Sequence, residues 1–232
     1  RGAAIDPAFQ PQPNASYDAW RDAFFARAQA QGIRADTLRA GFAGQGFLPG
    51  VVTRDRNQTE FRRTTEDYLA LVASEDDLAL GRARVAPQRT TLAAIERQSG
   101  VDSDVIAAIC GLETRFGTRL GEIGVISATS TLAWEGRRGR FFEAQLMAAL
   151  RILQAGDTTT DRMRGSWAGA MGHTQFMPTV FEEYAVDFTG DGRRDIWGDD
   201  PSDALASTGE YLRRHRWRSG EPWGMEVHLP QA

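Results

Sequence analysis

Residues 101–117 read VDSDVIAAICGLETRFG. Val105, Ile106, Ile109, Leu112 and Phe116 recur at the spacing that lays apolar side chains along one face of an α-helix. Asp102 or Ser103 offers a cap at the start, and Gly117 a stop beyond the end. Working outward, Tyr17, Trp20, Phe24 and Ala28 share a face before Gly32, and a short helix over 35–43 ends at Gly44. Residues 45–57 read as a loop with an extended piece at Val51, Val52 and Thr53. Helical spacing returns over 58–85 and 88–99, then downstream over 141–154, from Pro178 to Ala185, and over 202–214. Strand alternation is confined to short pieces such as 225–229. The predicted fold class is mainly α.

The chain has 232 residues, 41% hydrophobic and 25% charged, which is the balance of a soluble domain with a sizeable core. No apolar run approaches the roughly 18 residues that span a bilayer. The first residues, Arg-Gly-Ala-Ala, hold neither an initiator Met nor an apolar signal core, so a trimmed mature form is expected. A net charge of −4 argues against nucleic acid as a partner. All 27 basic side chains are arginine, which excludes a Schiff-base lysine and a phosphate-loop lysine. Cys110 is the single cysteine and leaves the redox compartment open.

Glu113 falls in the apolar stripe, with Ile106, Ile109, Cys110 and Phe116 at helical neighbour positions. A carboxyl in such company, in the last turn of a helix, is expected to hold its proton to higher pH. That suits a general acid for glycosidic cleavage. The competing reading is a helix-end Glu paired with Arg115 or Arg119.

Three further segments carry chemistry. In GSWAGAMGHTQFMP (165–178) the small residues allow close backbone approach. Ser166 and Gln175 supply hydrogen-bonding groups there, and Trp167, Met171, Phe176 and Met177 apolar surface for a sugar ring. The order GSWAG does not place Ser as a nucleophile elbow requires, and no strand precedes it. In DFTGDGRRDIWGDD (187–200), Asp187, Thr189, Asp191 and Gly192 match the first half of a calcium loop, with the Arg193 carbonyl at position seven. Position twelve is Gly198, so a late carboxylate must come from Asp199, Asp200 or Asp203. Arg137 and Arg138 form a basic pair in a loop suited to the carboxylates of a peptide substituent. His173, His215, His228 and Cys110 lack zinc-ligand spacing.

Taken in order, AICGLETRFG (108–117), STLAWEGRRGRFF (130–142), ALRILQAGD (149–157), the stretch 165–197 and DALASTGEYLRRHRWRSGEPWG (203–224) resemble the B-type lytic murein transglycosylases. A weaker echo is RDRNQTEF (54–61). Residues 1–15, with Pro7, Pro11 and Pro13, read as an extended lead-in; the resemblance implies an N-terminal helical lobe (16–86) and a lysozyme-like helical catalytic core (87–232) with an EF-hand-like loop at 187–203. It implies non-hydrolytic cleavage between N-acetylmuramic acid and N-acetylglucosamine. Glu113 would protonate the leaving oxygen, then deprotonate the muramyl C6 hydroxyl to give a 1,6-anhydro product. Ser166 and Gln175 match groove positions, with Phe116, Met171, Arg137 and Arg138 as further substrate contacts. Asp187, Thr189, Asp191, Arg193 and Asp203 match a structural calcium site; catalysis itself calls for no cofactor. The implied partners are peptidoglycan glycan strands and the cell-wall synthesis machinery, with the enzyme a periplasmic monomer, lipid-anchored to the outer membrane in its precursor.

The sequence departs from the family at Cys110, where Trp is common, in a longer loop between Asp191 and Asp203, and in lacking the family's C-terminal groove segment. A hydrolytic muramidase is the nearest alternative and needs further carboxylates across the glycan. A non-catalytic, calcium-stabilised peptidoglycan-binding protein is the other.

Overall fold

The computed structural model describes residues 6–57, 64–222 and 224–228. It is mainly helical, as the sequence predicts. The first helix, α1 (Ala15–Ala30), starts where the Asn14 side chain accepts the Tyr17 amide at 3.0 Å. α2 (Ala35–Gly41) follows. Residues 45–57, expected as a loop, contain α3 (Pro49–Arg56); Pro49 in the first turn lacks only an amide that has no helical partner there. The helical stretch expected over 58–85 is two helices, α4 (Thr65–Val72) and α5 (Glu75–Val85). Thr64 and Ser74 each cap the one that follows. Residues 58–63 lie outside the described set, as does the 58–61 portion of the weak motif echo. Within the lead-in, Pro7–Phe9 form a single 3-10 turn.

α6 (Arg89–Ser99) ends at Gly100 and α7 (Ser103–Thr114) carries Glu113. A two-residue antiparallel pair, β1 (Ile123–Gly124) with β2 (Arg164–Gly165), brackets α8 (Val125–Glu135) and α9 (Gly139–Ala155). α10 (Pro178–Tyr184) and α11 (Ser202–Arg214) complete the helices. Residues 225–228 form no strand.

α8 and α9 are the centre of the molecule. α8 is buried without a break from Val125 to Ala133. Its hydroxyls serve as anchors: Ser127 Oγ lies 2.7 Å from Gln45 Oε1 and accepts the Gly46 amide, while Thr131 Oγ1 accepts the Leu48 amide. Ser130 Oγ lies 2.7 Å from the Tyr17 hydroxyl. Phe24, Ala28 and Leu38 from α1 and α2 share one apolar cluster with Leu146, Leu150, Ile152 and Phe181. Leu48 and Val51 join Leu132 and Phe142 in another. α1–α3 therefore pack on the same core as α8 and α9, each fully buried large side chain contributing about 1.5–3 kcal/mol. A third cluster, Leu92, Ile95, Ile106, Cys110 and Leu205, unites α6, α7 and α11. α4 and α5 stand at its edge with Tyr68, Leu69, Leu71 and Leu78 exposed.

Candidate active site

The end of α7 is shaped by three consecutive left-handed residues, Arg115 (φ 52°), Phe116 (φ 55°) and Gly117 (φ 79°). Such conformations are costly for side-chain-bearing residues, so their neighbours must hold them. The Arg115 guanidinium is fixed by Asp77 of α5 at 2.6 Å, and Asp77 also accepts the Ser74 hydroxyl. Those bonds, Ser74 first and Arg115 second, hold the Asp77 carboxyl below its usual range. The Phe116 ring lies where α5 crosses α7. A methyl at Gly81 or Gly111 would come within 2.7 Å or 2.6 Å of that ring. Thr114, fully buried, has its hydroxyl 2.7 Å from the His173 carbonyl and accepts the Gly117 amide.

Glu113 faces outward from this turn into a groove of about 1020 Å³ between α4, α5 and α7. It has no hydrogen-bond or ion-pair partner among the described residues, and Arg115, its expected competitor for pairing, belongs to Asp77. Desolvation in the groove raises its carboxyl pKa above the usual range. The groove's apolar walls come from exposed Leu69, Leu71, Leu78 and Leu112, with Phe116 beneath. A groove that combines apolar surface with one unpaired, proton-retaining acid can transfer a proton to a bound sugar oxygen.

Of the residues expected beside Glu113, Phe116 lines this groove. Ser166 and Gln175 do not line it; they sit on the glycine-rich loop, which meets the segment after α7, where the Gln175 amide donates to the Leu120 and Gly172 carbonyls at 3.2 and 3.0 Å. Ser166 Oγ accepts the Ala168 and Ala170 amides, leaving its hydroxyl hydrogen to donate. Met171, expected to offer sugar-binding surface, is instead fully buried in the core. Phe176 is buried as well; Trp167 and Met177 are half-buried.

Arg137 and Arg138 lie elsewhere than expected. Arg137 grips buried Asp55 through Nε at 2.8 Å and Nη2 at 2.5 Å, and Arg138 stacks over Phe141 at 4.3 Å. Neither lines the groove of Glu113. His173, which the sequence marks only as a poor zinc ligand, is the connector: its backbone amide bonds Ile196, its Nε2 lies 2.7 Å from the Gly198 carbonyl, and its own carbonyl receives Thr114. No spacing rule points to it, because all its partners are brought in by tertiary folding.

The acidic loop is closed on itself. Asp187 accepts the amides of Gly190, Asp191 and Gly192, the shortest at 2.7 Å. Asp203, 2% exposed, accepts the amides of Phe188, Thr189 and Asp195, so both its oxygens are engaged. Asp191 accepts the Arg193 amide. Among the described residues no three His, Cys, Asp or Glu converge on a point where a metal ion would sit. In the expected EF-hand-like set Asp187, Thr189, Asp191, Arg193 and Asp203, the three carboxylates accept amides of the loop itself.

A family model described as "Transglycosylase SLT domain" matches residues 16–232. Membrane-bound lytic murein transglycosylase B of Escherichia coli (strain K12) is 41% identical over 125 residues, 53% of this chain and 34% of that protein. The structure of SltB3 from Pseudomonas aeruginosa, solved with NAG-NAM-pentapeptide and with NAG-anhNAM-pentapeptide, superposes with a TM-score of 0.89. It is 49% identical, over 94% of this chain and 58% of that one. Escherichia coli Slt35, solved in complex with calcium, gives a TM-score of 0.78 at 26% identity, over 96% of this chain and 71% of that one. The chain thus spans less than two thirds of the first two relatives.

Proposed function

The chain belongs to the transglycosylase SLT domain family, and on that footing we propose that it is a lytic transglycosylase of peptidoglycan with Glu113 as its one acid and base. The observation that carries this is the Glu113 carboxyl, unpaired among the described residues and set between the apolar walls of its groove. Protonated, it donates to the oxygen between N-acetylmuramic acid and N-acetylglucosamine. As carboxylate, it then accepts the C6 hydroxyl proton while that oxygen closes on C1 to give the 1,6-anhydro sugar. The anhydro ligand seen with SltB3 supports this product. Ser166 is proposed to donate its free hydroxyl hydrogen to the substrate, and Gln175 to present its amide oxygen beside it.

A hydrolytic muramidase would need a second carboxylate across the glycan. Asp77 is held by Arg115 and Ser74. Asp104 lies in the first turn of α7, about 13 Å of helix from Glu113, beyond the roughly 6.5–9.5 Å that seats a water in inverting enzymes. Both support a one-carboxylate reaction assisted by the substrate's own N-acetyl group.

Calcium takes no step in this scheme. A structural ion in the 187–203 loop is supported by the oxygen order of Asp187, Thr189 and Asp191 and by the calcium complex of the Escherichia coli relative, and opposed by the amides that occupy Asp187 and Asp203. Thermal unfolding in calcium against chelator decides it, since a ligand bound only to the folded state raises Tm. Residence in the periplasm, where the glycan lies, fits the "membrane-bound" name of the Escherichia coli relative. Among the described residues no helix is long and apolar enough to cross a membrane.

The deciding experiment digests purified peptidoglycan with the protein and with Glu113→Gln, then weighs the soluble products. Anhydro-muropeptides, lighter by one water than hydrolysed ones and lost with the variant, are expected. Reducing muramyl ends would make the protein a muramidase, and no release from either would make it a binding module.

A further inference from the structure

The groove around Glu113 is cationic in a chain of net charge −4. Four arginines line it, Arg82, Arg89, Arg115 and Arg119, against the acids Asp77, Asp104 and Glu113. Arg115 and Asp77 cancel each other, and Glu113 is biased towards its neutral form. Three guanidiniums and the Asp104 carboxylate remain. They come from separate elements: Arg82 from α5, Arg89 from the first turn of α6, Arg119 from the turn after α7.

All three are exposed. None makes a side-chain hydrogen bond or ion pair with another described residue; Arg119 reaches Asp77 only through its field. That sets them apart from Arg27 and Arg151, each of which forks onto a glutamate of a neighbouring helix. Arg89 is also at the end of α6 where the helix dipole disfavours a cation, with no acidic residue in that first turn. Guanidiniums around one groove that pair with no described residue suit a ligand carrying several carboxylates, which they bind as two-pronged forks.

We infer that Arg82, Arg89 and Arg119 determine specificity for the peptide stem of the substrate, holding its carboxylates while the glycan lies against Glu113. This rests on the peptidoglycan reading of the groove. It assigns stem contacts within this groove, whereas Arg137 and Arg138 are engaged by Asp55 and Phe141 outside it.

The test is calorimetric titration of the wild type and the triple variant Arg82→Gln, Arg89→Gln, Arg119→Gln. The ligands are the N-acetylglucosaminyl-N-acetylmuramyl disaccharide with and without its tetrapeptide. This disaccharide lacks the bond that is cleaved, so binding is read apart from catalysis. The stem should tighten wild-type binding, with an affinity that falls as salt rises. The triple variant should lose about tenfold or more on the stem-bearing ligand, the scale of one or more charge-assisted hydrogen bonds, and nothing on the bare disaccharide. Unchanged circular dichroism is expected because the side chains are exposed. A stem that adds no affinity, or a variant that binds both ligands as the wild type does, overturns the inference. If the chain releases nothing from peptidoglycan and the stem effect persists, cleavage fails as the function and stem recognition stands.

Discussion

At Glu113 one physical cause, desolvation of the carboxyl in its groove, bears on both the proposed catalytic role and stability. Its folded pKa lies above its ordinary value. The first step needs the protonated form, so kcat/KM should fall as pH rises through that raised pKa. Stability follows the same sign: the unfolded glutamate ionises first, so its contribution is complete below the unfolded pKa and lost as pH climbs through the folded one. Glu113→Gln should therefore melt higher than the wild type at neutral pH and alike at pH 4, while losing about 10²-fold or more in rate. Paired melting curves and a pH–rate profile check it, and a variant that melts lower at pH 7 would refute the cause assigned. Thr114 next door is positional. Thr114→Val strands the His173 carbonyl and the Gly117 amide, and should cost about 1–3 kcal/mol by urea unfolding, whereas Thr114→Ser retains most of it. The sequence marks Glu113 by the apolar residues of its own stretch, but the groove walls Leu69, Leu71 and Leu78 come from α4 and α5 and no helical spacing could supply them. The commitment of Arg137 to Asp55 was not legible in the sequence, because the two lie 82 positions apart. Met171 misled for a related reason: in a stretch with no period, nothing in the sequence tells which side of the loop is buried.

The crossing of α5 and α7 is where an element-scale rule can be tested against a packing cost. Alanine in place of Gly111 gains about 1 kcal/mol of helix propensity. It also drives a methyl to 2.6 Å from the Phe116 ring, and overpacking of that kind costs about 1–3 kcal/mol. Gly111→Ala should therefore be neutral to destabilising in the wild type, yet stabilising in a Phe116→Ala background where the ring is gone. A double-mutant cycle by chemical denaturation measures this coupling, and strict additivity would show that the ring simply moves aside. Amphipathic elements such as α7 and α9 could be read from sequence because each has a wet face and a dry one. α8 could not: VISATSTLA (125–133) is buried on all sides, so its serines and threonines fall at no period and serve instead as buried anchors for Tyr17, Gln45 and Leu48. The loop expected over 45–57 hides α3 for the opposite reason, since Pro49 and Gly50 signal a turn until Pro49 is recognised as a first-turn residue.

Across the whole molecule, α11 joins what would otherwise be two bodies. Ala204 packs in the cluster of α1, α2, α9 and α10, while Leu205 and Ala206, the next residues along, pack with α6 and α7. Each cluster region also holds one buried acid of high pKa. Burial pushes the Tyr17 phenol, at the contact of α1 with α8, from 10.0 to about 12, and the Cys110 thiol, behind Glu113, from 9.0 to about 11. Both folded values exceed the unfolded ones. The stability they carry is thus whole below pH 9 and lost between there and pH 12, as the unfolded chain sheds protons that the folded one keeps. The combined loss is on the order of 5 kcal/mol, comparable to the entire stability of a marginal domain, about 5–15 kcal/mol. Alkaline unfolding should therefore come before pH 12 and, because α11 cannot leave one cluster without the other, as a single transition. Tyr17→Phe and Cys110→Ala should each shift that one transition to higher pH. Two transitions followed by far-ultraviolet circular dichroism, each moved by only one of the substitutions, would mean that α11 does not couple the halves and that the groove of Glu113 can open while the α8–α9 core stays folded.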